Sequence, residues 1–388
     1  MRTRQELEEY LTEQFQWFHR HPELAYEEYQ TTARIRELLE KEGIEICKSS
    51  LQTGLIAIVK GTAPAAGQER ITALRCDIDA LPIEEQAEVS YRSEHPGKMH
   101  ACGHDLHITA GIGAAILLHE KRESFSGCVK FLFQPAEEES HGALKMLETG
   151  VMQDIPHIWG FHADPTNETD TIGIREGYVA AAVDRFVVKV TGVGCHGAHP
   201  DDGIDPILTA SAIVQGLQSI VSRNVNSFHP ALLSVTRIEA GNTWNVIPAE
   251  AYLEGTVRTM DHADRILFET KVAQIAERIA AAYGAKAETE WIAGPPAICN
   301  DAAMAKLCEE TAAKLGMKTV PEESSMGGDD FAFYIDRDTM DREVPGCYVK
   351  IGTGVGHPIH HPAFWVETPV VCRTAEYLSE LLLADLNR

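Results

Sequence analysis

Apolar residues recur every three to four positions over residues 3–19 and again over 27–42, the period of an amphipathic helix, and the second run stops at Gly43 as a helix C-terminus would. Short apolar runs follow at GLIAIVKG, ITALRCDIDA and CVKFLFQP, with a helix-like stretch from His107 to Lys121 between the last two. Near-continuous apolar runs read as strands buried on both faces. Their alternation with helices predicts an α/β layer with a mixed, largely parallel sheet between helices. Near residue 180 the texture changes. VDRFVVKVTG alternates apolar and polar positions, DPILTASAIVQGLQSIVSRN follows with a helical period, ALLSVTRIEA and AEAYLEGTVRT read as strands, and residues 261–283 form another helix. Strand, helix, strand, strand, helix, strand is the order of a smaller, ferredoxin-like α+β unit.

Composition and charge narrow the class. With 388 residues, 44% hydrophobic and 24% charged, the chain reads as ordinary globular protein, longer than one core usually supports. A net charge of -24 repels phosphate backbones and anionic lipid, so nucleic-acid and membrane partners are not expected. An anionic substrate must then be met by a local cation. The start, MRTRQELEEY, turns acidic and amphipathic at once, unlike a signal peptide, and no segment approaches the ~18 uninterrupted apolar residues of a spanning helix. Nine cysteines without the spacing of a disulfide framework suit a reducing compartment, and the cytoplasm is the expected location.

The candidate chemistry centres on MHACGHDLH. Side chains two apart in an extended segment point to one side, so Cys102 and His104 can converge on one point. Glu137, Glu138, His162 and His360 are further metal-competent donors. Thiolate, imidazole and carboxylate together suit zinc or a neighbouring transition metal, and a count above four favours two ions over one. Three successive glutamates after FLFQPA are an awkward amount of negative charge unless cations lie nearby. At a strand end Glu137 and Glu138 would point in different directions, one toward an ion and the other toward its water. His360 and His361 are adjacent and face apart, so at most one reaches the ions, with His357 and His361 left as supporting candidates. Asp77 and Asp79 suit a role in orienting ligand imidazoles. Ligands of such sheets collect beyond the carboxyl ends of strands, where Cys76, Asp77, Asp79, the Cys102 segment and Glu137 to Glu139 all lie. Donors occur on both sides of the α+β unit, so that unit is read as an insertion. The expected division is 1–180 for the first part of the catalytic domain, 181–292 for the insertion and 293–388 for the second part, which resumes at the Pro/Gly break GPPAICND. Within the insertion, GVGCHGAHPDDGIDP carries His196 and His199 on a loop that can close over a metal centre or be an ordinary exposed turn.

In order along the chain, HPEL, CDIDALP, MHACGHDLH, FLFQPAEE, GCHGAHP with IDPI, GNTWNVIPAEAYLEGTVRT, GGDDFAFY and HHPAF resemble the dinuclear-metal amidohydrolases that include hippurate hydrolase, indole-acetyl-amino-acid hydrolase and N-acetyldiaminopimelate deacetylase. The likeness runs from residue 21 to residue 364. It implies a catalytic domain interrupted by a lid domain that often mediates dimerisation, hence a homodimer. It implies two divalent ions (zinc, manganese, cobalt or nickel) held by Cys102, shared between them, with His104, Glu138, His162 and His360. It also implies hydrolysis of the amide bond of an N-acyl amino acid or related conjugate by a metal-activated water, with Glu137 as general base. By the same resemblance His196 stabilises the oxyanion, frequently across a dimer interface. Asn245 supports the oxyanion or the substrate, and Arg258 binds the substrate carboxylate, the local cation that an acidic protein needs. Gly327, Gly328 and DDFAFY are expected to wall the pocket. Many relatives carry a ligand histidine where this chain has Arg75, and the Cys102/His104 pair stands in for it. Two other readings remain at this level: a cysteine amidase using Cys102 and His104, and a metal-stabilised binding protein without turnover.

Overall fold

The computed structural model describes residues 2–64 and 70–387 and divides into two compact units. One comprises the residues up to 179 with 299–323 and those from 329 on; the other comprises 180–298 and 324–328.

The larger unit is built on an eight-stranded sheet. From edge to edge the strands run Glu45–Ile46, Leu55–Lys60, Cys128–Gln134, Ile71–Asp77, Ile158–Asp164, Gly346–Gly352, Thr171–Ile174 and Lys318–Pro321. Cys128–Gln134, Ile71–Asp77, Ile158–Asp164 and Gly346–Gly352 are mutually parallel, so their carboxyl ends open on one edge. The helix Arg4–Arg20 buries Leu7, Leu11, Phe15 and Phe18, the apolar stripe of its sequence, and starts with a Thr3/Glu6 capping box.

The helix His104–Glu120 lacks such a stripe and is buried almost all round. Two glycines let it sit deep. A Cβ on Gly111 would lie 2.5 Å from Cys76 Sγ on the sheet, and one on Gly113 would lie 2.6 Å from Ala375 Cβ on the helix Pro369–Leu386. Pressed between sheet and helix, it delivers its N-terminus to the carboxyl ends of the parallel strands.

The smaller unit has four antiparallel strands in the order Ala231–Ala240, Glu250–Thr259, Ala182–Thr191, Lys286–Ala293. Taken along the chain this is second, third, first, fourth, the ferredoxin-like arrangement. Alternation in Ala182–Thr191 buries Phe186, Val188 and Val190 against Ile213, Leu217, Phe268 and Val272 of the helices Pro206–Arg223 and His262–Ala282. Among the described residues no helix is long and apolar enough to cross a membrane.

Candidate metal centre

Cys102 does not lie in an extended segment. It sits in a turn, Gly103 adopts the left-handed conformation (φ 87°), and His104 is already the first residue of a helix expected to begin only at His107. A Cβ on Gly103 would meet Ala163 Cβ at 2.8 Å. Convergence of the two side chains therefore comes from a glycine-dependent reversal of the backbone, not from strand alternation. Glu137 and Glu138 likewise leave the strand: it ends at Gln134, Ala136 is left-handed (φ 53°), and the glutamates occupy a turn.

The structure brings together Cys102, His104, Glu138, His162 and His360. The Nε2 atoms of His162 and His360 both stand 3.3 Å from Cys102 Sγ, and His360 Nε2 is 3.5 Å from Glu138 Oε1. Ligand atoms of Cys102, His104 and His162 form one group within 4.8 Å, and those of Cys102, Glu138 and His360 form another. A third joins His104 to Glu137 and Glu138. The tautomers follow from the partners. His104 Nδ1 donates to the Asp79 carbonyl at 2.9 Å and His162 Nδ1 donates to the Ala163 carbonyl at 2.7 Å, so each ring presents its Nε2 to the cluster. His104 Nε2 and Glu138 Oε1 are buried with no hydrogen-bond partner among the described residues. Orphaned buried donors of these types are costly unless a cation satisfies them, and sulfur, imidazole and carboxylate fit a pair of divalent ions.

The electrostatics agree. Burial pushes the Cys102 thiol far up, and burial with Asp329, Asp330 and Glu138 raises Glu137 well above the carboxylate range. Burial holds His162 well below the usual imidazole range, leaving it neutral. Burial is the largest influence and opposes a charge on His104, but Asp77, Cys102 and Asp79 together outweigh it and hold His104 well above that range. Bound cations would reverse this balance, ionising the thiol and Glu137 and displacing the His104 proton.

Beneath the ligands lies a buried charged floor. Arg75 bonds Asp77, Asp330 at 2.6 Å, Asp329 at 3.1 Å and Gln134 at 2.9 Å, while Tyr348 donates to Asp329. Asp77 also takes the Nδ1 proton of His107, whose Nε2 accepts the Ala163 N–H at 3.0 Å. With both nitrogens occupied, His107 is a brace. Asp79 contacts His104 Nδ1 at 3.3 Å. Sequence reasoning passed over His107, although it lies three positions from His104 on one helix face, and it read DDFAFY as backbone wall where Asp329 and Asp330 act through their carboxylates. His361 Nδ1 accepts the Ala363 N–H and its ring stacks on His357 at 4.3 Å.

His196, Asn245 and Arg258 lie in the smaller unit. His196 pairs with Val246 in a short ladder, and Gly197 N–H donates to the Asn245 carbonyl at 2.8 Å. Arg258 is half-buried, and its Nη1 has no hydrogen-bond partner among the described residues. The nearby Asp184 is engaged by Arg265 at 2.9 and 2.7 Å. Gly327 and Gly328 also belong to this unit, where the Gly327 carbonyl accepts the Ala181 N–H.

A thiolate, imidazole and carboxylate cluster beyond the ends of parallel strands, with a spare glutamate beside it, defines a metal-dependent amide hydrolase. Residues 73–384 match the description Peptidase family M20/M25/M40, and the chain belongs to that family. It is 44% identical over 370 residues to an N-acetylcysteine deacetylase of Bacillus subtilis (strain 168), covering 95% of each chain. It is 32% identical over 378 residues to thermostable carboxypeptidase 1 of Saccharolobus solfataricus, covering 94% of this chain and 93% of the relative. Among solved structures, a Bacillus subtilis dinuclear metal binding peptidase of the M20 family superposes with a TM-score of 0.87 at 40% identity, covering 98% of this chain and 99% of that one.

Proposed function

We propose that the chain hydrolyses the amide bond of N-acyl amino acids, N-acetylcysteine among them, with Cys102, His104, Glu138, His162 and His360 holding two divalent ions and Glu137 as general base. The observation that carries this reading is the pair of donor triads sharing Cys102, with Glu137 beside them. When bound, such ions lower the pKa of water toward neutrality and polarise the scissile carbonyl. Glu137 takes a proton from the attacking water on its carboxylate and gives it to the amide nitrogen as the C–N bond breaks. His196 donates to the developing oxyanion, Asn245 supports it, and the unpartnered Arg258 Nη1 receives the substrate carboxylate. Asp77 and Asp79 hold the imidazoles in place. Zinc, manganese, cobalt and nickel all suit the donors.

The protein acts as a homodimer through the smaller unit, with His196 serving the partner's site. Ala231–Ala240 is an edge strand with Ile238 exposed, and Phe228 and Trp244 are 91% and 94% exposed. Nine free cysteines support a reducing compartment such as the cytoplasm as its place of action. A cysteine-amidase reading is opposed by burial of the Cys102 thiol, which disfavours the thiolate.

Glu137→Gln decides the assignment. The variant should keep two ions by calorimetric titration while amine release from a panel of N-acyl amino acids falls by about 10² to 10⁴. Unchanged turnover would remove Glu137 as the base. Chelation should abolish turnover and metal add-back restore it; survival of chelation with loss on alkylation would establish the thiol mechanism instead.

A further inference from the structure

The turn that carries Glu137 is held from outside. It begins at Ala136, whose left-handed backbone is unfavourable for any residue with a Cβ. Such a conformation persists only where its surroundings hold it. The Ala136 N–H donates to Glu28 Oε1 at 2.8 Å, across 108 positions of sequence. The Ala136 carbonyl accepts the Gly142 N–H at 3.2 Å, and a Cβ on Gly142 would fall 1.7 Å from the Pro135 carbonyl oxygen, so the turn closes without slack. On the other side of Glu137, the Glu138 N–H donates to Asp79 Oδ2 at 3.0 Å. The residues on either side of Glu137 are thus each tied through their N–H to a carboxylate from a distant segment.

Glu28 lies just before the helix Tyr29–Lys41, is fully buried, and has no ion-pair partner among the described residues. Burying a carboxylate without a cation opposes folding, so stability alone does not account for it. We propose that Glu28 is a positioning residue for catalysis, which by accepting the Ala136 N–H fixes the left-handed turn and aims the Glu137 carboxylate. This rests on the reading of Glu137 as general base.

The test uses the metal-loaded enzyme. Glu28→Leu removes the acceptor, and Glu28→Asp withdraws it by one methylene while keeping the carboxyl group. Both should lower kcat by on the order of 10²-fold, the scale of a ~1 Å misplacement, with KM nearly unchanged and two ions retained. Glu28→Gln keeps an oxygen acceptor and should recover most of the lost turnover. In a Glu137→Gln background, Glu28→Leu should have no further effect, because the carboxylate it aims is gone. Wild-type kcat in both the Leu and Asp variants, loss of ions from them, no recovery with Gln, or an equal loss in the Glu137→Gln background would each overturn the proposal. If the Leu variant does not fold, the Asp variant decides. Failure of the proposal alone leaves Glu137→Gln inactive, whereas a fully active Glu137→Gln would bring down the base assignment as well.

Discussion

Both ring nitrogens of His19 face carboxylates, Asp105 Oδ2 at 2.6 Å and Glu85 Oε1 at 3.1 Å, in a fully buried setting. Burial disfavours its charge, but the two carboxylates outweigh it and push its pKa up to about 9 from 6.5. A group whose folded pKa is raised contributes stability fully present below the unfolded value and lost as pH rises through the folded one. The window is therefore pH 6.5 to about 9, and the contribution is on the order of a few kcal/mol. Thermal unfolding of the wild type should fall across this window. His19→Gln should be less stable at pH 7, because two buried carboxylates lose their cation, and its melting temperature should fall less between pH 7 and 9.5. Equal slopes would show that His19 is uncharged in the folded protein. His19 was not legible as part of this arrangement: in the sequence it is one polar position on an amphipathic helix, and its partners lie 66 and 86 residues away.

At the level of elements, the helix His104–Glu120 and its entry turn decide the geometry of the centre. At Gly103 the structure replaces the argument from residue spacing with another. The spacing of Cys102 and His104 suggested a strand, whereas a left-handed glycine packed against Ala163 makes the two side chains meet. Gly103→Ala should therefore cost more than the roughly 1–2 kcal/mol of the backbone alone, since its Cβ also clashes with Ala163. Urea unfolding should show the loss, and ion binding should weaken in the folded fraction. An alanine variant with wild-type stability and ion affinity would mean that the turn can relax. Elements with a clear period, such as Arg4–Arg20 and Ala182–Thr191, lie within a residue or two of where their sequences place them. The buried helix starts three residues before its expected position, because a segment apolar on every side marks no boundary.

For the whole molecule, the proposed homodimer carries its own test. The proposal that His196 acts across a homodimer predicts that mixing inactive His196→Ala subunits with inactive Glu137→Gln subunits under exchange conditions restores activity at one site of each hybrid. Absence of recovery with proven exchange would place His196 within its own chain or outside the reaction. The class of fold and the kinds of donor side chain are legible along the chain, because hydrophobic period is local and the donor chemistry of a thiol, an imidazole or a carboxylate belongs to the residue. How those side chains are arranged is a matter of long-range packing. Tertiary contacts turned the Nε2 atoms of His104 and His162 to the cluster, made His107 a brace, gathered Asp77, Asp329 and Asp330 around Arg75, and set Glu28 behind the turn that carries Glu137. These roles depend on contacts between segments up to 255 residues apart, which no local pattern encodes.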